Sequence, residues 1–89
     1  MIIQAACRVT IPGIEDIQCI PLHRHCDIGK IFKAFGYKPG ECKIVEQGFI
    51  DNHGNFYNRK SALIHANKCN QQLLPINCKT NELFSENLY

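Results

Sequence analysis

At 89 residues, 45% of them hydrophobic and 20% charged, the chain is expected to fold as one small globular domain spanning residues 1–89, which excludes a disordered chain and two independent cores. The net charge of +2 arises from ten Lys/Arg against eight Asp/Glu with no block of like sign, so the clustered basic face of a nucleic-acid polymer binder is missing. One or two bound phosphates stay compatible with that balance.

A domain of this size is marginally stable, and oligomerisation is a natural support for it. The opening Met1-Ile2-Ile3-Gln4-Ala5-Ala6-Cys7 has small residues before a cysteine but no basic leader and no apolar region of about 7–15 residues, so no signal peptide is expected. No run approaches the roughly 18 apolar residues of a membrane span, and a soluble intracellular protein follows as the expectation. Six cysteines without an export signal suit a reducing compartment. None has the C-x-x-C spacing of a zinc ribbon, and most are expected to act as small buried hydrophobes. His23-Arg24-His25-Cys26 is the nearest cluster to a metal site, but no second ligand pair supports it; it reads better as a strand end entering a helix.

Along the chain, residues 2–11 are β-rich and predict a strand, with Ile3, Ala5, Cys7, Val9 and Ile11 falling on one face at period two and Arg8 on the other. Pro12-Gly13 predicts a turn, and residues 14–22 the returning strand of a hairpin. Asp27 stands as an N-cap before Ile28, Ile31, Phe32 and Phe35, the stripe of an amphipathic helix over about 28–36, with Gly36 as its left-handed terminator and Pro39-Gly40 preventing continuation. Residues 41–50 predict a third strand, with Ile44, Glu46, Gly48 and Ile50 on one face and Lys43, Val45, Gln47 and Phe49 on the other.

Asp51-Asn52-His53-Gly54 is a turn, after which Asn55-Phe56-Tyr57 returns beside the third strand. Asn58 caps a second helix from Arg59 to about Asn70, whose Ala62, Leu63, Ala66 and Cys69 form the buried side. From Gln71 to Thr80 the chain is irregular and broken by Pro75; Asn81 opens a last short turn over 82–85. Leu83, Phe84, Leu88 and Tyr89 are too apolar for a frayed end and are expected to dock on the core or on a second subunit. The fold class is α+β: a small antiparallel sheet of about four strands, two helices and a short docked tail.

The densest chemistry lies in residues 47–60. A helix N-terminus offers unpaired N–H groups and positive potential, and Asn58-Arg59-Lys60 places two cations there, one able to bind phosphate bidentately. A capped helix with exposed basic residues is the other reading. Phe49, Phe56 or Tyr57 could stack on a base, yet aromatics in strands are mostly core, and alternation sends Phe56 and Tyr57 to opposite faces. Gln47, Asn52 and Asn55 carry amides suited to a base edge or ribose, although turn amides mostly bond their own backbone. Arg24 and His25 precede the first helix as Arg59 opens the second. For catalysis the inventory is poor: there is no Gly-x-Ser-x-Gly, no phosphate-cradling Gly loop with its lysine and no His-x-Thr pair, so an enzyme is not expected.

Arg24-His25-Cys26-Asp27, Gln47-Gly48-Phe49 and Gly54-Asn55-Phe56-Tyr57-Asn58-Arg59, with Ala62 three positions later, resemble in order and spacing the phage Thoeris anti-defence sponges. The resemblance spans residues 24–62. It implies a non-enzymatic phage protein that binds and sequesters a cyclic nucleotide immune signal, either a cyclic ADP-ribose isomer or a cyclic oligonucleotide; the host cytoplasm is the expected location, and no cofactor or metal is expected. It also implies a homo-oligomer with pockets at subunit contacts. Carried over by motif, Arg24 and His25 match the first element, Phe49 the second and Arg59 the third; with Asn58 and Lys60 these are the candidate ligand-binding residues. A protein-binding inhibitor of a host defence enzyme, acting through the Leu83–Tyr89 tail and a sheet edge, is the alternative, and a zinc module using His23, His25 and cysteines is a third.

Overall fold

The computed structural model describes residues 1–74 and 82–89 and shows an α+β fold. Four strands, β1 (Ile2–Ile11), β2 (Ile14–Leu22), β3 (Lys43–Asp51) and β4 (Phe56–Asn58), form an antiparallel sheet in the order β2-β1-β3-β4. Two helices, α1 (Ile28–Ala34) and α2 (Arg59–Lys68), follow β2 and β4, and single 3₁₀ turns cover His25–Asp27 and Ser85–Asn87. The expected break at Pro75, the cap at Asn81 and Cys78 lie outside the described residues.

The first hairpin closes as its sequence requires: Ile11 pairs with Ile14 across Pro12-Gly13, and Gly13 adopts φ +82°, a conformation open to glycine at little cost. Pro21 lies within β2 because that strand is at the edge of the sheet, where a missing N–H breaks no inner ladder.

Strand parity departs from simple alternation in β1. Opposite β3 the register shifts between Ile2 and Gln4, and one extra residue reverses the facing of everything before it. Ile2 is therefore 1% exposed and Ile3 44% exposed, the reverse of the periodic expectation. Beyond the shift, Ala5, Cys7 and Val9 point to one face as expected and are fully buried. A second shift lies between Arg8 and Val9, and past it the β3 residues Ile44 and Val45 are both exposed.

Both helices pack on that face. Ile2, Ala5 and Phe49 gather with Ala62 and Ala66 of α2 and with Leu83; Cys7, Val9 and Leu22 gather with Ile28 of α1. On the opposite face Arg8 pairs with Glu46 at 3.2 Å and lies 5.6 Å from the Phe56 ring centre, which places Phe56 and Tyr57 on opposite faces as alternation required.

The first helix is shorter than its stripe. It ends at Ala34, Phe35 leaves helical geometry with ψ 1°, and Phe35 is 72% exposed instead of buried. Gly36 takes φ +87°, while the Tyr37 N–H donates to the Phe32 carbonyl and the Gly36 N–H to that of Lys33, the bonding of a glycine-terminated helix. Asp27 does not cap α1 with its side chain; its carboxylate accepts from the Arg24 N–H at 3.3 Å and closes the preceding turn. Likewise α2 stops at Lys68, so Cys69 is exposed rather than buried.

The C-terminal segment docks on the core of its own chain. Leu83 is fully buried, Leu88 packs beside it, and the Leu83 N–H donates to the Arg59 carbonyl at 3.0 Å. The 3₁₀ turn forms at Ser85–Asn87, three residues later than expected.

A candidate anion groove at the mouth of the second helix

Because side chains alternate along β3, Gln47 and Phe49 face the helices while Gly48 faces away. Asn58 is extended, with φ −68° and ψ 173°, and its Oδ1 accepts from the Ser61 N–H at 2.8 Å. This is the side-chain N-cap that its identity predicts. Arg59, the first residue of α2, is thereby aimed back across the end of β3.

Its guanidinium is held from three sides. Nη1 donates to the Leu83 carbonyl at 3.1 Å, and Nη2 donates to Gln47 Oε1 at 2.9 Å and approaches His25 Nδ1 at 3.3 Å. The Phe84 ring centre lies 5.1 Å from the guanidinium carbon, within cation–π range. A guanidinium has five N–H donors, and these three contacts leave two for another acceptor.

His25 stands behind Arg59. Its Nε2 is 2.6 Å from the Gly48 carbonyl, which can only accept, while the guanidinium at Nδ1 can only donate. Both contacts are satisfied by the neutral imidazole with its proton on Nε2. Burial first, and the Arg59 cation as well, push the histidine below its ordinary value, while the Gly48 carbonyl works the other way. The ring also meets Phe49 edge-on, with centres 5.1 Å apart.

Arg24 is turned elsewhere. Nη1 donates to Ser85 Oγ at 3.0 Å, Nη2 donates to the main-chain oxygen of Tyr89, and the guanidinium lies 5.0 Å from the Tyr89 ring centre. His23 stacks on that ring at 4.4 Å. The Tyr89 hydroxyl accepts from the Ala5 N–H at 3.2 Å and donates to the Leu22 carbonyl at 3.5 Å, standing between two paired strand residues.

An open groove of about 260 Å³ runs past the mouth of α2, lined by Glu46, Gln47, Asn58, Arg59, Lys60 and Glu82. Of the candidate residues, Asn58, Arg59 and Lys60 line it. His25 supports Arg59 from behind, Phe49 is fully buried with no face open to a ligand, and Arg24 braces the C-terminal segment instead. Lys60 and Asn58 are exposed, and the Asn58 amide nitrogen is left over from capping, so the groove presents donors from three consecutive residues. Glu46 and Glu82 bring two carboxylates to its rim. Among the described residues no three His, Cys, Asp or Glu side chains gather as metal ligands would, and no helix is long and apolar enough to cross a membrane.

The groove residues missing from the motif reading, Glu46 and Glu82, belong to separate segments, and the groups that fix the two arginines, Leu83, Ser85 and Tyr89, lie 24 to 65 residues away in sequence. Neither spacing nor composition signals such pairings. No characterised protein and no solved structure shows significant similarity to the chain. Over residues 1–89 it matches the family described as Phage T4 y16D protein, and it belongs to that family of phage proteins.

Proposed function

We propose that this phage protein acts against host defence by binding a cyclic nucleotide immune signal and sequestering it uncleaved in the host cytoplasm. The observation that carries the reading is the donor set at the mouth of α2: Asn58, Arg59 and Lys60 line one groove, and Arg59 keeps two N–H groups beyond its three contacts. Fixed donors of this kind suit a phosphate. The resemblance of residues 24–62 to the Thoeris anti-defence sponges and membership of a phage family support the same reading. At about 260 Å³ the groove falls short of the roughly 300–1,000 Å³ typical of ligand pockets, so it accommodates one phosphate–ribose portion, and a second copy of the chain would cover the rest.

Calorimetry against cyclic ADP-ribose isomers and cyclic di- and trinucleotides tests this. Stoichiometric binding of one of them, recovered intact on heating, is expected; no heat from any would end the proposal. Lys60→Glu should abolish that binding without altering the denaturation midpoint, because Lys60 is exposed. Arg59→Ala should weaken it more than about tenfold, as loss of a charged hydrogen bond does.

A second reading, a protein-binding inhibitor of a host defence enzyme, is favoured by the outer edge of β2. That edge has no strand beside it among the described residues, and Ile14 and Ile17 are 46% and 43% exposed. Edges of this kind accept an added strand. A stoichiometric partner captured from host lysate, insensitive to small-molecule removal and lost in Ile17→Lys, would favour it over the sponge.

A further inference from the structure

A larger and more enclosed cavity lies away from the groove, between α1 and the loop that leads into β3. It measures about 450 Å³ and is walled chiefly by Gly29, Phe32, Lys33, Tyr37, Lys38 and Cys42. Gly29, Phe32 and Lys33 fall on one face of α1 by their i, i+3, i+4 spacing. Tyr37 is fixed opposite by the helix-terminating bond from its N–H to the Phe32 carbonyl at 3.1 Å. The volume lies inside the range of small-molecule sites.

The charge of the lining is one-sided. It contains two ammonium groups and no carboxylate, and neither lysine is ion-paired among the described residues, where the salt bridge is Arg8–Glu46. Glu41, the carboxylate of the loop, accepts from the Lys38 main-chain N–H at 2.7 Å and is not part of the wall. An apolar interior with two aromatic rings and two cations at its margin is complementary to one chemistry. We propose that this cavity binds a small aromatic monoanion, its ring against Phe32 and Tyr37 and its acid group between Lys33 and Lys38. Ring contact and a charge-assisted bond would then act together.

Gly29 makes the cavity testable without dismantling it. Gly29 lines the cavity, a Cβ there meets no atom within 4 Å, and the residue is helical, so a larger side chain is accommodated at the wall while helix propensity improves. The probe is the aromatic sulfonate 1-anilinonaphthalene-8-sulfonate, followed by fluorescence on the folded protein. Saturable one-site binding is expected. Gly29→Leu should weaken it at least about tenfold by filling the space, and Lys33→Gln/Lys38→Gln should weaken it about tenfold through loss of charged contacts. The lysine pair is exposed, so that variant reads the site even if Gly29→Leu folds poorly. The proposal is overturned by absence of saturable binding, by unchanged binding in either folded variant, or by a concentration-dependent dimer that Gly29→Leu abolishes, since a second copy would then occupy the cavity.

Discussion

His25 presents an unprotonated Nδ1 to the guanidinium of Arg59 at 3.3 Å, while its Nε2 proton is committed to the Gly48 carbonyl. The contact joins the two helix entrances, and it tolerates only the neutral imidazole. Protonation would set two cations against each other in a buried position.

A pH dependence follows. The ordinary histidine value, which applies in the unfolded chain, is 6.5, and the folded value is lower. The unfolded chain therefore takes up the proton first as the solution is acidified. The stability contributed by neutral His25 is complete above about pH 6.5 and is lost as pH falls toward the folded value. Urea midpoints should decline from pH 7.5 to 5.5 in the native sequence and change less across that window in His25→Asn. An equal decline in the variant would assign the effect to another group.

Gly48 is a position where no side chain fits. A Cβ built there stands 2.1 Å from the Tyr57 carbonyl oxygen and 2.5 Å from the Phe56 ring, and the carbonyl belongs to the paired strand, which cannot yield alone. Gly48→Ala should cost about 3 kcal/mol or more, the upper range for overpacking. Denaturant titration would show it, and a loss below about 1 kcal/mol would mean that β4 moves freely.

What could be read in the sequence was whatever rests on local physics. Pro12-Gly13 fixed the first hairpin, Asn58 the start of α2, Gly36 the end of α1, and alternation the divergence of Phe56 and Tyr57. The bulge at Ile3 could not be read, because an extra residue leaves the composition of a β-rich run unchanged. Phe35 misled because its spacing extends a stripe that Gly36 has already ended. The cysteines misled by type: of the five described, Cys7 and Cys42 are buried, but Cys19, Cys26 and Cys69 are exposed. The groove was half legible, since Arg59 and its cap are neighbours in sequence, whereas the segment that holds Arg59 is reached only through the fold.

Asp51 governs a more acidic window. It entered the sequence reading as a turn former, and it proves to be the acceptor around which the β3–β4 turn is built. Burial works to raise its carboxyl, but the Asn55 and His53 N–H groups, each at 2.9 Å, together with the Tyr57 hydroxyl and the Asn55 amide, outweigh it and hold the group well below the usual carboxylate range. With an unfolded value of 3.8, its contribution is present above that pH and is lost as the solution is acidified further. Asp51→Asn should be less stable at neutral pH and show a flatter acid limb below about pH 4. A native-like acid limb in the variant would show that other carboxylates set it.

Tyr89 offers the cleanest measure of how firmly the last segment is held. Its hydroxyl occupies the gap between the Ala5 N–H and the Leu22 carbonyl, so one oxygen completes the end of the β1–β2 ladder. Tyr89→Phe keeps the ring that stacks on His23 and meets Arg24 and removes only that oxygen. The Ala5 N–H then lacks its acceptor in a residue that is fully buried. A cost of about 1–3 kcal/mol is expected for a buried donor left unsatisfied. Hydrogen exchange at Ala5 should accelerate in step, since its amide leaves a hydrogen bond. If Tyr89→Phe is as stable as the native sequence and exchange at Ala5 is unchanged, the hydroxyl is replaceable by water and the segment is held by its other contacts, Leu83 and the two arginines among them.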